Sequence, residues 1–123
     1  MTTLTRAIRR LVGGEASGTT GPMEASWRGV TIARSDRTLV VEGHHYFPRD
    51  DVDPRFLEPS AHQSVCPWKG VASYHDVVVD GERNQGAAWY YPTPSPAAAT
   101  VKDRVAFWRG VKIKRASPPD TDS

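Results

Sequence analysis

The chain has 123 residues, a length that suits one folded domain with short extensions and excludes two full domains. Sixteen basic residues oppose 14 acidic ones, and this net charge of +2 is too small to indicate a polyanionic partner such as a nucleic acid. No stretch is long and apolar enough to span a membrane, and a single cysteine cannot form an intramolecular disulfide. We therefore expect a soluble cytoplasmic domain.

The first 13 residues predict a separate N-terminal amphipathic helix. Four apolar residues recur on one face at helical spacing: Leu4, Ile8, Leu11 and Val12. We expect this helix to be an appendage of the domain, and the alternative is a basic partner-binding or membrane-surface helix. Small and polar residues at 14–22 predict a linker, the domain is expected over 23–114, and the polar residues 115–123 predict a disordered tail.

From residue 25 onward the pattern changes to the period of two that predicts β-strands. Arg28-Gly29 and Asp80-Gly81 predict two-residue hairpin turns, because glycine allows the left-handed backbone that tight hairpins need. Ten glycines and ten prolines in so short a chain favour many turns between short strands. Short strands at this spacing predict a small antiparallel β-barrel or β-roll.

Prolines divide this strand pattern in two places. Pro48, Pro54 and Pro59 bound a stretch that we interpret as a loop with one helical turn, because proline does not fit the interior of a sheet. Pro96 stands at the first position of a predicted short helix that continues through Lys102. The fold class is therefore mainly β, with one short helix late in the chain.

The segment around the only cysteine concentrates reactive side chains. Cys66 is followed by Pro67, Trp68, Lys69 and Gly70. A cation three residues away lowers the pKa of a thiol below its free value of about 8.5, so Cys66 is a candidate nucleophile with Lys69 as its partner. The alternatives are a small buried core residue for Cys66 and a solvated turn lysine for Lys69.

Eight short motifs follow one another in a specific order along the domain. They are V-E-G at 41–43, Y-F-P at 46–48, D-D-V at 50–52, L-E-P-S at 57–60, C-P-W-K-G at 66–70, A-x-Y at 72–74, A-W-Y-Y at 88–91 and V-A-F-W at 105–108. In this order they resemble the small bacterial and fungal family catalogued as domain of unknown function four-two-seven. The resemblance implies a compact, mainly β fold with a candidate pocket. Family listings sometimes add a nucleotidyltransferase-like label, but the chain has no glycine-rich phosphate loop to support it.

Glu42 and the aromatic residues complete the predicted site. Glu42 ends a strand, where it either pairs with an arginine in solvent or faces the barrel mouth as an acid or base with a raised pKa. Rings along Trp89-Tyr90-Tyr91 occupy both faces of one strand, so one face must meet solvent, a partner or a ligand. The predicted ligand-binding residues are Tyr46, Ser64, Trp68, Tyr74 and Trp89, and each of the four aromatic ones has a core role as its alternative.

These residues predict a domain that binds a small polar or anionic metabolite in the barrel mouth. Cys66, Lys69 and Glu42 are its catalytic candidates, and whether the protein is an enzyme stays open. The alternative is a non-catalytic protein-interaction module that uses exposed aromatics and the N-terminal helix. No metal or other cofactor is predicted, because the four histidines lack metal-ligand spacing. Single-stranded nucleic acid is not expected as a partner of a nearly neutral chain.

Overall fold

The fold is described from a computed structural model, which covers residues 17–18 and 21–116. These residues contain ten β-strands and three short 3-10 segments. The strands are β1 Ser17–Gly18, β2 Met23–Trp27, β3 Val30–Ser35, β4 Leu39–Val41, β5 His44–Pro48, β6 Leu57–Cys66, β7 Gly70–Val79, β8 Glu82–Tyr90, β9 Arg104–Phe107 and β10 Lys112–Arg115. The 3-10 segments are Arg49–Asp51, Pro54–Phe56 and Pro96–Val101.

The strands form two antiparallel sheets. Seven strands pair in the order β1-β4-β5-β9-β8-β7-β6, and β10-β2-β3 form a smaller sheet. The predicted mainly β, antiparallel fold is confirmed. The expected closed barrel is wrong for the part of the chain that is described, because β1 and β6 end the large sheet without pairing with each other. Pairing does not follow chain order, since β9 inserts between β5 and β8, and β10 joins β2.

Tight turns join most neighbouring strands. Arg28-Gly29 and Asp80-Gly81 form the two predicted hairpin turns, with positive φ at both residues of each. A third turn of this kind joins β4 to β5 at Glu42, φ +53°, and Gly43, φ +81°. The sequence had predicted that Glu42 ends a strand. In the structure it lies in a hairpin turn instead.

Alternation along the central strands of the large sheet divides the apolar side chains between two faces. On one face they pack against the small sheet, and this core includes Ala25, Ile32, Phe47, Val77, Val105 and Phe107. On the other face they form a second core, which includes Val41, Tyr46, Trp89, Tyr91, Ala98 and Val101. The predicted late helix is the 3-10 segment Pro96–Val101, and it covers part of this second face with Ala98 and Val101. The uncovered remainder of that face is where the site lies.

The predicted loop at 48–59 contains two 3-10 turns, and its end already belongs to a strand that continues to the cysteine. After the 3-10 turns at 49–51 and 54–56, β6 runs from Leu57 to Cys66 along the edge of the large sheet. The edge position explains why Pro59 is compatible with a strand, since one side of an edge strand needs no hydrogen-bond donors.

Some predictions concern the ends of the chain. The predicted N-terminal helix at 1–13 lies outside the described residues, and so does the tail beyond residue 116. β1, which pairs with β4, falls inside the stretch predicted as a linker, 14–22. No helix in the described residues is long and apolar enough to cross a membrane.

Candidate functional site

An open cleft of about 220 Å³ lies on the second face of the large sheet. Its walls come from the β4–β5 turn, from β5, β7 and β8, from the β6–β7 loop and from the residue after β9. The lining side chains are Glu42, His44, Tyr46, Lys69, Tyr74, Trp89, Tyr91 and Trp108. Five of the eight residues predicted from the sequence are among them, and the other three contact this lining from behind or from the rim.

The β6–β7 loop delivers Lys69 to this cleft. The loop is fastened to the chain after β8, because Ser95 N–H donates to the Lys69 carbonyl at 3.0 Å and its hydroxyl donates to the Trp68 carbonyl. Gly70 ends the loop at φ +111°, and a Cβ there would lie 3.4 Å from the carbonyl oxygen of Thr93. The loop conformation therefore depends on a glycine and on its contact with residues 93–95.

Lys69 is almost completely buried, with 4% of its surface exposed. Its Nζ lies 4.8 Å from the ring centre of Trp68 and 5.6 Å from that of Tyr91, and it donates to Glu42 Oε1. Burial alone would lower the pKa of Lys69, but the hydrogen bond to Glu42 together with the nearby Tyr46 and Cys66 outweighs burial and raises it. Lys69 is therefore a protonated ammonium in an aromatic setting.

Glu42 closes one end of the cleft. Its side chain is half exposed and accepts from Lys69 Nζ and, at 2.9 Å, from Trp68 Nε1. These two hydrogen bonds lower the pKa of Glu42, so the raised pKa that the sequence offered for a carboxylate in an enclosed mouth does not apply. The reason is the position of Glu42 in an exposed turn, where partial solvation and two donors stabilise the carboxylate.

Cys66 lies beside this pair and is not among the side chains that line the cleft. It is partly buried and packs against the second core. Partial burial would raise the pKa of the thiol, but the backbone N–H groups of Lys69 and Trp68 and the Lys69 ammonium lower it, and the net shift is downward. The direction agrees with the predicted influence of Lys69 on the thiol.

Aromatic rings form the rest of the wall. Trp89 stands at the centre, donates from Nε1 to the Tyr46 hydroxyl at 3.1 Å, and meets His44 edge-on at 4.9 Å. Trp108 packs against Trp89 at 5.8 Å and is 39% exposed, so it forms the open rim. Tyr74 is held by a 2.9 Å hydrogen bond with Ser64, which explains how that serine supports the cleft without lining it.

Residues 15–116 match the family model NTP_transf_9, described as Domain of unknown function (DUF427). The chain belongs to this family. The resemblance predicted from the ordered motifs is thus confirmed, and the match spans both the cleft and the elements that support it. No curated protein matches the chain.

Sequence reasoning missed three residues that line the cleft of this DUF427 domain. Tyr91 and His44 could have been predicted from the sequence. A period of two places Tyr91 on the same face as Trp89, and it places His44 on the same face as Tyr46. Trp108 lies in the V-A-F-W motif, but nothing near it in the sequence indicates that it belongs to the cleft. It reaches the cleft because β9 pairs with β8, with Ala106 opposite Trp89.

One face of the aromatic strand end lines the cleft, whereas the sequence had left solvent, a partner or a ligand open for that face. Trp89 and Tyr91 are 8% and 5% exposed and line the cleft. Tyr90 faces the other way, where it stacks on His75 at 4.8 Å beneath the guanidinium of Arg49. In the described part of the chain, this strand therefore presents its rings to a cleft and a core and not to a flat docking surface.

No group of three or more His, Cys, Asp or Glu side chains that could hold a metal ion converges in the described part of the chain.

Proposed function

We propose that this DUF427 domain is a cytoplasmic protein that binds a small polar or anionic metabolite in the aromatic cleft, with Lys69 as the ionic anchor. The observation that supports this most is the burial of the Lys69 ammonium at 4% exposure in the wall of an open cleft. Lysine is almost never buried without a partner. Here the partner, Glu42, is half exposed, so it can turn into solvent and leave the ammonium to a ligand.

The donors of Lys69 favour an anionic group on the ligand. An ammonium carries three N–H donors, and Glu42 accepts one of them. We infer that a ligand oxygen can accept from another. A carboxylate that replaces Glu42 would receive two donors, one from Lys69 and one from Trp68 Nε1.

The size and walls of the cleft favour a small flat ligand. A volume of about 220 Å³ corresponds to roughly seven water molecules at about 30 Å³ each. A single ring with a short polar substituent is of this size. Trp89, Trp108 and Tyr74 offer ring surfaces to such a body. Burial raises the pKa of Tyr46 and of Tyr91, so both present neutral hydroxyls at physiological pH.

The electrostatics favour binding over acid–base catalysis by Glu42. A general acid near neutral pH needs a raised pKa, and that of Glu42 is lowered. Chemistry at Cys66 requires the thiol to enter the cleft, which it does not line. The alternative of an interaction module with exposed aromatics and the N-terminal helix at 1–13 stays a prediction, and the burial of Trp89 and Tyr91 favours a cleft over a docking surface.

A ligand panel compared across matched variants tests this proposal. We would measure thermal stabilisation by benzoate, nicotinate and the neutral analogue benzamide, since a ligand that binds only the folded state raises the unfolding temperature. The carboxylates should stabilise the wild type more than benzamide does, and Lys69→Met should abolish that advantage. Lys112→Met is the control, because Lys112 is exposed on β10. Equal responses in the two lysine variants, or no stabilisation by any member of the panel, would contradict the proposal.

A further inference from the structure

A second, larger cleft of about 430 Å³ shares no lining residue with the aromatic one. It opens where β5 runs into the 3-10 turn 49–51 and where the chain after the 3-10 segment 96–101 enters β9. Its charged lining residues are Arg37, Arg49, Lys102 and Arg104, with Asp50 and Asp103. Four cations against two carboxylates give this lining a net charge of +2, equal to that of the whole chain.

The backbone around this basic cleft is well fixed. Pro48 pairs with Arg104 at the junction of β5 and β9, and Arg49 N–H donates to the Asp103 carbonyl at 2.9 Å. The Arg104 guanidinium adds two links to the backbone, from Nε to the Thr100 carbonyl at 3.2 Å and from Nη1 to the Arg37 carbonyl at 3.0 Å. The cations are thus presented by a sheet and two anchored turns.

The positive charge of the cleft is poorly compensated. Arg37 pairs with Asp51 at 3.4 Å, but Arg49, Lys102 and Arg104 make no ion pair with any described residue. Arg49 lies over the ring of Tyr90 and beside His75, neither of which supplies a negative charge. Burial and the neighbouring Arg37 lower the pKa of Arg104 by more than the nearby Asp51 raises it, so on balance its surroundings disfavour its charge. A bound anion would relieve this repulsion.

We propose that the basic cleft binds a small molecule that carries a phosphate or diphosphate group. Guanidinium groups are strong donors to phosphate oxygens, and Arg104 has its Nη2 group for this role while Nε and Nη1 hold backbone carbonyls. A phosphate monoester carries a charge of about −1.5 to −2 near neutral pH, which matches the lining better than a single carboxylate does. The exposed ammonium of Lys102 supplies a further charge at the rim.

The shape of the charge argues against a nucleic acid as the occupant. A polymer is held by a stripe of cations along a surface, and its binding scales with the number of phosphates neutralised. Here the cations surround one concavity, and the chain as a whole is nearly neutral. The cleft is therefore suited to one compact anion.

Calorimetric titration of the full chain with sodium pyrophosphate at low ionic strength tests this inference. We expect saturable binding at one site, and about fivefold weaker binding for Lys102→Met, because one neighbouring charge is removed. Lys102 makes no ion pair in the described structure, so its replacement leaves the fold intact. Lys112→Met is the matched control and should bind pyrophosphate like the wild type. Absence of saturation, or the same affinity for both lysine variants, would overturn the proposal.

Further titrants distinguish a specific phosphate site from a general effect of anions and from a polyanion-binding surface. Inorganic phosphate should compete with pyrophosphate for the same site, whereas chloride at the same ionic strength should not. A single-stranded oligonucleotide should bind no more tightly than pyrophosphate. Tighter oligonucleotide binding that Lys112→Met also weakens would show a diffuse polyanion surface and would overturn the assignment of a compact site.

Discussion

Glu42 and Lys69 are 27 residues apart in the chain, yet they meet at one end of the aromatic cleft. Each is carried by a hairpin connection, Glu42 by the β4–β5 turn and Lys69 by the β6–β7 loop. The two partners differ in exposure, since Glu42 is half exposed and Lys69 is 4% exposed. Because of this difference in exposure, Glu42 can turn into solvent and a ligand can take its place, whereas the buried Lys69 ammonium always needs an anionic or polar partner.

The first prediction follows from that asymmetry. Glu42→Ala should destabilise the fold by about 2 kcal/mol, because it leaves a buried ammonium without its carboxylate. Lys69→Met should destabilise it by about 1 kcal/mol or less, because the half-exposed Glu42 can be solvated and methionine keeps the apolar contacts. Urea denaturation of both variants measures the difference, with Glu82→Ala as the control for an exposed glutamate. A larger effect for Lys69→Met would contradict this account of the pair.

The second prediction concerns acid pH. The folded-state pKa of Glu42 is lowered by Lys69 and Trp68, so its contribution to stability is present above the unfolded value of about 4.3 and is lost as the pH falls through the folded value. Glu42→Gln should therefore be less stable than the wild type at pH 7, and the gap in unfolding free energy should narrow as the pH falls below about 4.3 and through the folded pKa. Thermal unfolding across this range measures the gap. A gap that stays constant down to pH 2.5 would mean that the charge of Glu42 contributes nothing.

The third prediction compares two glycines in the left-handed region. Gly70→Ala brings a Cβ to 3.4 Å from the Thr93 carbonyl oxygen at φ +111°, whereas Gly43→Ala at φ +81° meets no atom within 4 Å. Both variants carry backbone strain of about 1 kcal/mol or more, and Gly70→Ala adds a displacement of the β6–β7 loop. We expect Gly70→Ala to weaken benzoate binding as well as stability, and Gly43→Ala to lower mainly stability. Equal loss of binding in both would show that the loop contact is unimportant.

The fourth prediction concerns the thiol. The rate of Cys66 alkylation by iodoacetamide should rise with pH through a midpoint below the free value of about 8.5, because backbone N–H groups and Lys69 favour the thiolate. Lys69→Met should move the midpoint upward. Cys66→Ser is the control that removes the reaction. A midpoint at or above 8.5 that Lys69→Met does not shift would show that the ammonium has no influence on the thiol.

The sequence predicted those parts of the fold that depend on neighbouring residues. Turns such as Arg28-Gly29 and Asp80-Gly81 follow from the backbone freedom of glycine, which is a local property. The insertion of β9 between β5 and β8 involves pairs such as Phe47 and Val105, 58 positions apart, and no local pattern encodes that pairing. The closed barrel was predicted because neighbouring hairpins were assumed to pair in chain order.

In the cleft, too, the sequence predicted what depends on local signals and missed what depends on long-range pairing. Tyr46 and Trp89 were identified because large rings in short strands indicate a wall or a core, and the C-P-W-K-G motif drew attention to Lys69. Trp108 was missed because only the long-range pairing of β8 with β9 carries it to the rim. The direction of the pKa shift of Glu42 stayed open in the sequence, because it depends on two donors more than 20 residues away.

The most direct test of the central claim is a calorimetric titration of benzoate into the wild type, Lys69→Met and Lys112→Met. If Lys69 is the anchor of a carboxylate site, the wild type and Lys112→Met should bind with the same affinity, and Lys69→Met should bind about tenfold more weakly or not at all. Equal affinity in all three proteins would contradict the account and would place any binding of benzoate away from the buried ammonium.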